Sequence, residues 1–377
     1  MLENSPKNLK VVHIASGDLW AGAEIQLFTL AKQLVSIPDI RLTVVLLNHG
    51  TLEQELIDNN ISVYVINEQQ LNSIVILRKL ILLLREIGPD IVHTHRVKEN
   101  ILGTIAARLS GVVHSIRTAH GAPEHRPPWW KLGKHIYHYA DLFCGKFLQS
   151  KIIAVSSELN IRLQVDFNGK VFTVENGVDI GAIYMRSDQQ VTFPGESAST
   201  RICLVCRLVP VKRVDIFIEV ANSIINEMGE QVEFYIFGDG PLLDECNLLI
   251  EKRGLSKHMH MMGFKDNMSA WLAKMNLLMI TSDHEGLPMN LLEAMSLKVP
   301  VISHAVGGIS RVLGDGDYGM LVSEQNIEDY VTLVKKYLNN PDVAINKAEK
   351  GYEFIVNHYT AKKNSDAYLK LYRDLTS

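Results

Sequence analysis

Residues 282–300 read SDHEGLPMNLLEAMSLKVP, a loop that leads into a helix. A strand is predicted just before them, because residues 277–281 form a largely apolar run. Gly286 permits a tight turn, and Pro288 suits the first helical position, where its missing N–H costs nothing. The stretch therefore predicts a strand, loop and helix unit of an α/β fold, with the helix N-terminus following the strand.

Two glutamates stand eight residues apart in this stretch, Glu285 on the loop and Glu293 inside the helix. The loop N–H groups and the positive end of the helix favour an anionic ligand. A carboxylate can accept two hydrogen bonds from a vicinal diol, so one glutamate would hold a ribose and the other a sugar ring. The pattern indicates a nucleotide-sugar site. The alternative is that Glu293 faces solvent on a surface helix.

Two cations are predicted at the carboxyl edge of the same sheet. Residues 201–208, RICLVCRL, form an apolar strand with Arg207 near its end, and Lys212 opens the next helix. Open α/β sheets bind ligands at this edge. A planar guanidinium and a lysine point charge could together neutralise a departing nucleotide diphosphate. The alternative, two solvated cations, is weakened because Lys212 opposes the helix dipole unless an anion lies there.

A glycine turn follows the next strand in FYIFGDGP, residues 234–241. Gly238 and Gly240 allow close approach of the backbone. Gly238 is therefore either a neighbour of the ligand or part of an ordinary tight turn, and the sequence leaves both open.

These segments, in this order, resemble glycosyltransferase family 4, whose members are retaining enzymes of the GT-B fold. The resemblance covers nearly the whole chain. It departs at Cys206 and Arg213, where the family usually has glycine, which affects the shape of the loop more than its charge. The matching motifs are W-A-G-A-E at 20–24, H-T-H at 93–95, T-A-H-G at 118–121, A-V-S-S at 154–157, E-N-G-V-D at 175–179, R-L-V-P-V-K at 207–212, F-G-D-G-P at 237–241, E-G-L-P at 285–288 and L-L-E-A-M at 291–295.

The resemblance implies a role for each matching position. Gly22 would lie near the donor phosphates from the opposite domain, and His120 near the sugar and the acceptor. Departure of the diphosphate and attack of the acceptor would occur on the same face, so the protein supplies positioning and charge stabilisation. The donor-binding residues implied are Arg207 and Lys212 for the diphosphate, Glu293 for the ribose hydroxyls, and Glu285 with the backbone of Gly286 and Leu287 for the transferred sugar.

The chain is expected to form two Rossmann-like parallel-sheet domains facing each other across a cleft. Strands separated by helical stretches favour parallel sheets. Polar sequence at 186–200 predicts the boundary. The predicted limits are 1–185 for an acceptor-side domain, to which a C-terminal helix at 358–377 would cross back, and 198–357 for a nucleotide-sugar-binding domain. The predicted strands of the first series are 10–15, 42–47, 62–66, 90–93, 113–117 and 152–155.

Composition bounds the class of protein. The 377 residues are 47% hydrophobic, which is enough for sizeable cores, and no apolar run is long enough to span a membrane. The N-terminus lacks a signal-peptide pattern, so a cytoplasmic location is expected. Cys203 and Cys206 are expected to be core thiols, since positions i and i+3 of a strand point to opposite faces. The dinucleotide fingerprint G-x-G-x-x-G is absent, which argues against a dehydrogenase.

No metal is expected, although the chain has 14 histidines. His93 and His95 could share a strand face, but no carboxylate or cysteine set with ligand spacing accompanies them. Asp315 and Asp317 form a D-x-D within GDGDYG, where a turn is the favoured interpretation.

The net charge of −4 hides a basic region between residues 96 and 151, with nine Lys and Arg against three acidic residues. Nucleic acid binding is poorly supported. Trp129 and Trp130 lie in this region beside Lys131 and Lys134, a combination that suits an anionic membrane surface or a lipid pyrophosphate. The alternative is a basic helix whose tryptophans pack on their own domain.

The sequence is thus interpreted as a cytoplasmic GT-B glycosyltransferase, and peripheral attachment to the inner face of the membrane is left open. It would use a nucleotide sugar, with UDP-sugar favoured, to extend a glycan or lipid-linked glycan in surface polysaccharide biosynthesis. The alternatives are a nucleotide-sugar epimerase of the same architecture and a sugar-nucleotide-binding protein without turnover.

Overall fold

The computed structural model describes residues 8–121, 132–194, 200–228 and 232–377. The chain divides into two compact units, of which unit 1 comprises Met1–Gly177 and Ala361–Ser377, and unit 2 comprises Val178–Thr360. Trp129, Trp130 and Lys131, on which the membrane prediction rests, lie outside the described residues, as does the side chain of Lys134.

The described residues form thirteen strands: β1 (Leu9–Ala15), β2 (Ile40–Leu46), β3 (Ser62–Val65), β4 (Ile91–Thr94), β5 (His114–Ala119), β6 (Lys151–Ala154), β7 (Val171–Thr173), β8 (Thr200–Val205), β9 (Val232–Phe237), β10 (Met259–Gly263), β11 (Leu277–Ile280), β12 (Val301–His304) and β13 (Met320–Val322). All six strands predicted for the first series are confirmed, with ends that shift by one or two residues. β7 was not predicted, because only three residues form it and two of them are exposed.

The helices are α1 (Gly22–Val35), α2 (Thr51–Asp58), α3 (Ser73–Ile87), α4 (Val97–Leu109), α5 (Leu132–Phe143), α6 (Ser157–Phe167), α7 (Ile180–Ser187), α8 (Val214–Met228), α9 (Leu243–Lys252), α10 (Met268–Leu272), α11 (Met289–Ser296), α12 (Ile309–Val312), α13 (Ile327–Asn339), α14 (Pro341–His358) and α15 (Ala361–Thr376). A π-helical turn at Cys144–Leu148 follows α5, and short 3₁₀ turns occupy Pro210–Lys212 and Gly314–Gly316.

Each unit is built on one parallel sheet. The strand order is β3-β2-β1-β4-β5-β6-β7 in unit 1 and β10-β9-β8-β11-β12-β13 in unit 2. Central strands such as β4, β9 and β11 are buried along their whole length, as expected when helices cover both faces of a parallel sheet. The predicted fold class, two Rossmann-like parallel-sheet units, is therefore confirmed.

The helical details follow the local signals with two differences. Gly254 adopts φ +69 just beyond α9, a left-handed conformation that is common for glycine at the C-terminal end of a helix. Met228 continues the apolar spacing of Val214, Phe217 and Ala221 on α8, but it is 38% exposed at the end of that helix. Pro288 has an extended ψ of 133° and lies immediately before α11, one position earlier than predicted. Since its ring fixes φ near −70°, proline suits either position.

Two helices near the boundary show how the chain is divided. α7, most of which the predicted limits assigned to the first domain, packs against α10 and α11 in unit 2. α15 belongs to unit 1 and packs against α1. Among the described helices, none combines the length and apolar character that crossing a membrane requires.

Candidate active site

Four consecutive strands of unit 2, in the order β9-β8-β11-β12, end at one edge of the sheet. The loops that follow them carry Gly238, the Arg207 and Lys212 pair, Glu285, and Gly307 with Gly308. Because the carboxyl ends of parallel strands meet at one edge, residues far apart in sequence, such as Lys212 and Glu285, come into contact.

The carboxylate of Glu285 is held from two directions. Oε1 accepts hydrogen bonds from Ser282 Oγ at 2.7 Å and from Lys212 Nζ at 2.5 Å. The side chains of Lys212 and Glu285 are only 22% and 10% exposed. Lys212 is therefore not the solvated cation of the alternative interpretation, because Glu285 balances its charge.

The Glu285 loop is clamped by the loop after β12. Gly308 N donates to Gly286 O at 2.7 Å. A Cβ on Gly307 would stand 2.0 Å from the carbonyl oxygen of Glu285, and this glycine adopts φ +58. Sequence reasoning missed Ser282 and Gly307. The consecutive glycines after β12 were the available signal, since glycine after a strand often marks close backbone approach.

The backbone around Lys212 is fixed by the adjacent β11 loop. Thr281 Oγ1 donates to Lys212 O at 2.9 Å, and Asp283 N donates to Val211 O at 2.8 Å. Lys212 ends the 3₁₀ turn Pro210–Lys212, two residues before α8, so it precedes the helix that it was predicted to open.

Arg213 adopts the left-handed conformation at φ +48. Glycine adopts this region without steric cost, and this explains why the family usually has glycine at this position. In this chain ion pairs hold the arginine: Nη2 lies 2.8 Å from Asp215 Oδ2 and Nη1 lies 3.4 Å from Asp283 Oδ1. The loop therefore keeps its course without glycine, and Arg213 links the β8 and β11 loops.

Arg207 and Gly238 occupy the neighbouring loops. The Arg207 side chain is exposed and forms no hydrogen bond or ion pair with the part of the chain that the structure describes. A Cβ on Gly238, at φ +130, would stand 1.8 Å from the carbonyl oxygen of Cys206. The close approach of two backbones thus explains this glycine, and contact with a ligand stays a prediction.

Glu293 lies on α11 at this end of unit 2 and is partly buried, in contrast to the solvent-facing alternative. Burial raises the pKa of its carboxyl group to about 7, and the positive charge of Arg186 opposes this shift only in part. No hydrogen bond joins the carboxylate to another of the described residues. Gly286 and Leu287 are both buried in the loop before this helix.

The two predicted site residues of unit 1 also follow strand ends. Gly22 is exposed and begins α1 after β1. Two residues later Glu24 is buried and forms an ion pair with Arg96, and burial raises the pKa of Glu24. His120 follows β5, and its Nε2 lies 3.2 Å from Nδ1 of His95.

A group of buried histidines surrounds this contact. His93 and His95 stack with ring centroids 4.5 Å apart, as their shared strand face predicted. Nitrogens of His13, His93 and His95 lie within 4.8 Å of one another, a spacing within which a metal ion could be held. Each of these rings, however, is hydrogen-bonded through both nitrogens. The spacing would allow a metal ion and the hydrogen bonds oppose one, so the absence of a metal stays a prediction.

The chain matches two family models. The model described as "Glycosyltransferase Family 4" matches residues 20–181, and "Glycosyl transferases group 1" matches residues 190–375. Together they span both units.

Among curated relatives is the poly(ribitol-phosphate) alpha-N-acetylglucosaminyltransferase of Staphylococcus aureus, 29% identical over 59% of this chain and 43% of the relative. The UDP-Gal:alpha-D-GlcNAc-diphosphoundecaprenol alpha-1,3-galactosyltransferase of Escherichia coli is 28% identical over 78% of this chain and 77% of the relative. Neither supports the epimerase alternative.

The crystal structure of Anabaena HepE in complex with UDP and glucose superposes with a TM-score of 0.82. It covers 96% of this chain and 99% of that one, at 19% identity. At this identity the superposition shows the shared fold. Taken with the two family models, it identifies the chain as a member of glycosyltransferase family 4 and a glycosyltransferase of the GT-B fold.

Proposed function

We propose that the protein transfers a sugar from a UDP-sugar to a glycan or lipid-linked glycan in surface polysaccharide synthesis, with retention of the anomeric configuration. The names of the two bacterial relatives support this substrate class, since one uses UDP-Gal and a diphosphoundecaprenol-linked acceptor and the other acts on poly(ribitol-phosphate). The matched region of the S. aureus relative is less than half of that protein, so its acceptor is not carried over.

The observation that carries the proposal is the ion pair of Lys212 with Glu285, together with the exposed Arg207 in the loop that carries Lys212. Lys212 uses one N–H on Glu285 and keeps others for a diphosphate oxygen. Arg207 offers a planar fork to the same group. Both cations would stabilise the negative charge that develops on the departing UDP, so no metal ion is needed in this proposal.

The two glutamates divide the rest of the donor between them. Oε1 of Glu285 is occupied by Ser282 and Lys212, while Oε2 makes no hydrogen bond to a described residue, which leaves it for a sugar hydroxyl. The backbone of Gly286 and Leu287 would contact the same sugar. Glu293 would accept hydrogen bonds from the two ribose hydroxyls. These bonds would stabilise the ionised form of a partly buried carboxyl group whose pKa is raised to about 7.

The acceptor side rests on the family resemblance alone. His120 would contact the sugar and the acceptor, and Gly22 would approach the donor phosphates. Since burial lowers the pKa of His120 to about 4, the imidazole is neutral at physiological pH and acts as a hydrogen-bond donor or acceptor without charge.

A thermal-shift panel followed by product analysis tests the function. Selective binding raises the melting temperature, so UDP and at least one UDP-sugar should stabilise the protein, while GDP-mannose should not. The stabilising donor is then incubated with diphosphate-linked glycan acceptors. Stabilisation by a GDP-sugar alone would overturn the UDP assignment, and a nucleotide sugar converted to its epimer without an acceptor would restore the epimerase.

The proposed location is the cytoplasmic face of an anionic membrane. Helix α5 and the turn after it expose several large apolar side chains, among them Ile136 at 70%, Tyr139 at 65% and Phe147 at 68%. Lys146 and Lys151 lie in the same part of the chain. Apolar side chains next to lysines suit reversible contact with a lipid surface, where the acceptor would be anchored.

A further inference from the structure

Unit 1 contains a continuous chain of side-chain hydrogen bonds, called here the histidine chain. It joins three neighbouring strands to helix α15. Its links run from His120 Nε2 to His95 Nδ1 (3.2 Å), His95 Nε2 to His13 Nδ1 (3.0 Å), His13 Nε2 to Tyr372 OH (3.0 Å), Tyr372 OH to His93 Nδ1 (2.8 Å), His93 Nε2 to Thr118 Oγ1 (2.8 Å), and Thr118 Oγ1 to Tyr368 OH (2.9 Å).

The sheet places these residues side by side. Strands β1, β4 and β5 are adjacent, and His13 pairs in register with His93. Side chains two residues apart on a strand point to the same face, which brings His95 to the side of His93. Helix α15 supplies Tyr368 and Tyr372, both at most 2% exposed, from more than 240 residues further along the chain.

The imidazoles of the histidine chain are all neutral. Burial lowers the pKa of His13 to about 3 and that of His120 to about 4. The pKa values of His93 and His95 are lowered as well, by burial first and then by neighbouring positive charge. A neutral imidazole has one N–H donor and one bare nitrogen acceptor. Each ring therefore donates at one nitrogen and accepts at the other.

If neither Tyr372 nor Thr118 accepts from both sides, which would strand the hydroxyl hydrogen, the histidine chain can run in only two directions. If the hydrogens point toward α15, Thr118 donates to Tyr368, and the hydrogen of the Tyr368 hydroxyl has no acceptor among the described residues. If they point the other way, Tyr368 donates to Thr118, Thr118 to His93, His93 to Tyr372, Tyr372 to His13, His13 to His95, and His95 to His120. Every hydrogen from Tyr368 to Nε2 of His120 then has an acceptor, and the remaining one, on Nδ1 of His120, belongs to a half-buried ring that solvent or a ligand can reach, whereas the Tyr368 hydroxyl is buried. Because a stranded buried donor is costly, the second direction is favoured.

We propose that α15 sets the tautomer of His120 through the histidine chain, with Tyr372 as the positioning residue. His95 donates to Nε2 of His120, so the ring hydrogen of His120 lies on Nδ1. No described residue forms a hydrogen bond with Nδ1 of His120. His120 therefore presents a neutral N–H donor, fixed in one tautomer, to an oxygen of the ligand. The catalytic consequence rests on the proposed function, whereas the tautomer itself does not.

The tautomer is measurable by NMR without substrate. In protein labelled with ¹⁵N-histidine at pH 7.5, long-range ¹H–¹⁵N correlations distinguish a protonated ring nitrogen from a bare one, and His120→Asn identifies the His120 signals. We expect the hydrogen of His120 on Nδ1. A hydrogen on Nε2, or a charged ring, would overturn the proposal. Shifts of the His13 and His95 signals on addition of zinc would also overturn the proposal, because a metal ion would bind the ring nitrogens that form the hydrogen bonds of the histidine chain.

Two matched variants test the role of the helix. Tyr372→Phe removes the link between His13 and His93, so one tautomer of His120 leaves an N–H of His13 unpaired and the other leaves a bare nitrogen of His13 unpaired. Since either unpaired group has a desolvation cost, the preference of the wild type is weakened, and we expect the Nε2–H form of His120 to appear beside the Nδ1–H form. Tyr368→Phe removes a buried hydroxyl of the same helix, but the Thr118 hydroxyl can still donate to His93, so the Nδ1–H form should persist. Folded Tyr372→Phe protein with an unchanged His120 tautomer would refute the proposal.

Kinetics supply the second readout. In Tyr372→Phe we expect kcat to fall several-fold more than in Tyr368→Phe, with little change in the KM for the donor. Equal effects of the two variants would show a merely structural helix and overturn the catalytic consequence. If the wild type lacked transferase activity, the proposed function would fail while the NMR result would still decide the tautomer.

Discussion

Lys212 Nζ lies 2.5 Å from Oε1 of Glu285, and Ser282 donates to the same oxygen. One carboxylate oxygen thus carries both contacts, and the other makes no hydrogen bond to a described residue. The pair balances the charge of the loop before any ligand binds, which keeps two partly buried charges tolerable. In the proposed donor site, the same contacts would orient Lys212 and Glu285 in advance for different parts of the donor.

Substitution of Glu285 and of Glu293 should affect the affinity for UDP differently. Glu293→Ala removes the proposed acceptor of the ribose hydroxyls, so it should weaken the binding of free UDP and of the UDP-sugar alike, by roughly the 1.5–3 kcal/mol of hydrogen bonds to a charged group. Glu285→Ala should weaken the UDP-sugar and leave free UDP nearly unchanged. Calorimetric titrations measure both. Equal loss of UDP affinity in the two variants would mean that the assignments are wrong.

The raised pKa of Glu293 predicts a pH dependence. Because burial lifts this pKa from 4.5 to about 7, the folded protein holds a proton here that the unfolded chain has lost, and ionisation of Glu293 costs stability as pH rises from about 4.5 to 7. Ribose hydroxyls favour the ionised form. UDP affinity should therefore fall as pH drops below 7, by up to about tenfold per pH unit.

Glu293→Gln is the control for this experiment, since protonation of the UDP phosphate affects both proteins equally. Titrations at pH 6 and pH 8 would measure the change in UDP affinity, and titrations at pH 7 in buffers of different ionisation enthalpy would report the proton released on binding. A wild type whose pH dependence matches that of Glu293→Gln would exclude Glu293 from the nucleotide site.

The left-handed Arg213 predicts an order of stability. Arg213→Ala and Arg213→Gly lose the same partly exposed ion pairs, but only alanine keeps the steric cost of φ +48. Arg213→Gly should therefore be more stable than Arg213→Ala by about 1 kcal/mol in denaturant unfolding. Alanine as stable as glycine would mean that this backbone conformation is not strained.

The exposed apolar side chains of α5 predict a membrane contact that fades with salt, because the Debye length shortens. The wild type should cosediment with phosphatidylglycerol vesicles but not with phosphatidylcholine vesicles. Ile136→Asp with Tyr139→Asp should remain in the supernatant. Ile161→Asp with Val165→Asp is the matched control, since these residues are 72% and 85% exposed on α6. If both double variants bound equally, α5 would not be the contact.

Local sequence signals were enough for the fold and for part of the site. Apolar runs alternating with amphipathic stretches marked the strands and helices, and the edge rule for parallel sheets assigned Lys212 and Glu285 to one ligand site, although their ion pair was not predicted. The same reasoning failed for the three-residue strand β7, because so short an element carries little periodicity.

The remaining features depend on contacts that no local pattern encodes. Position 307 requires glycine because the carbonyl oxygen of Glu285 lies against it, and position 238 requires glycine because the carbonyl oxygen of Cys206 lies against it. The histidine chain needs Tyr372 from α15, whose place beside β1 is decided by tertiary packing. The H-T-H motif was visible in the sequence, but its partners were not.

Turnover of the two cation variants tests the central claim most directly. With the UDP-sugar and acceptor found for the wild type, Arg207→Ala and Lys212→Ala should each lower kcat by about 100 to 1000-fold, as expected when one donor to developing charge is lost. Lys252→Ala, on the exposed side of α9, serves as the control and should leave kcat unchanged. Circular dichroism should show all three folded. Near-normal turnover in folded Arg207→Ala or Lys212→Ala protein would contradict the assignment of this edge of unit 2 to the donor diphosphate.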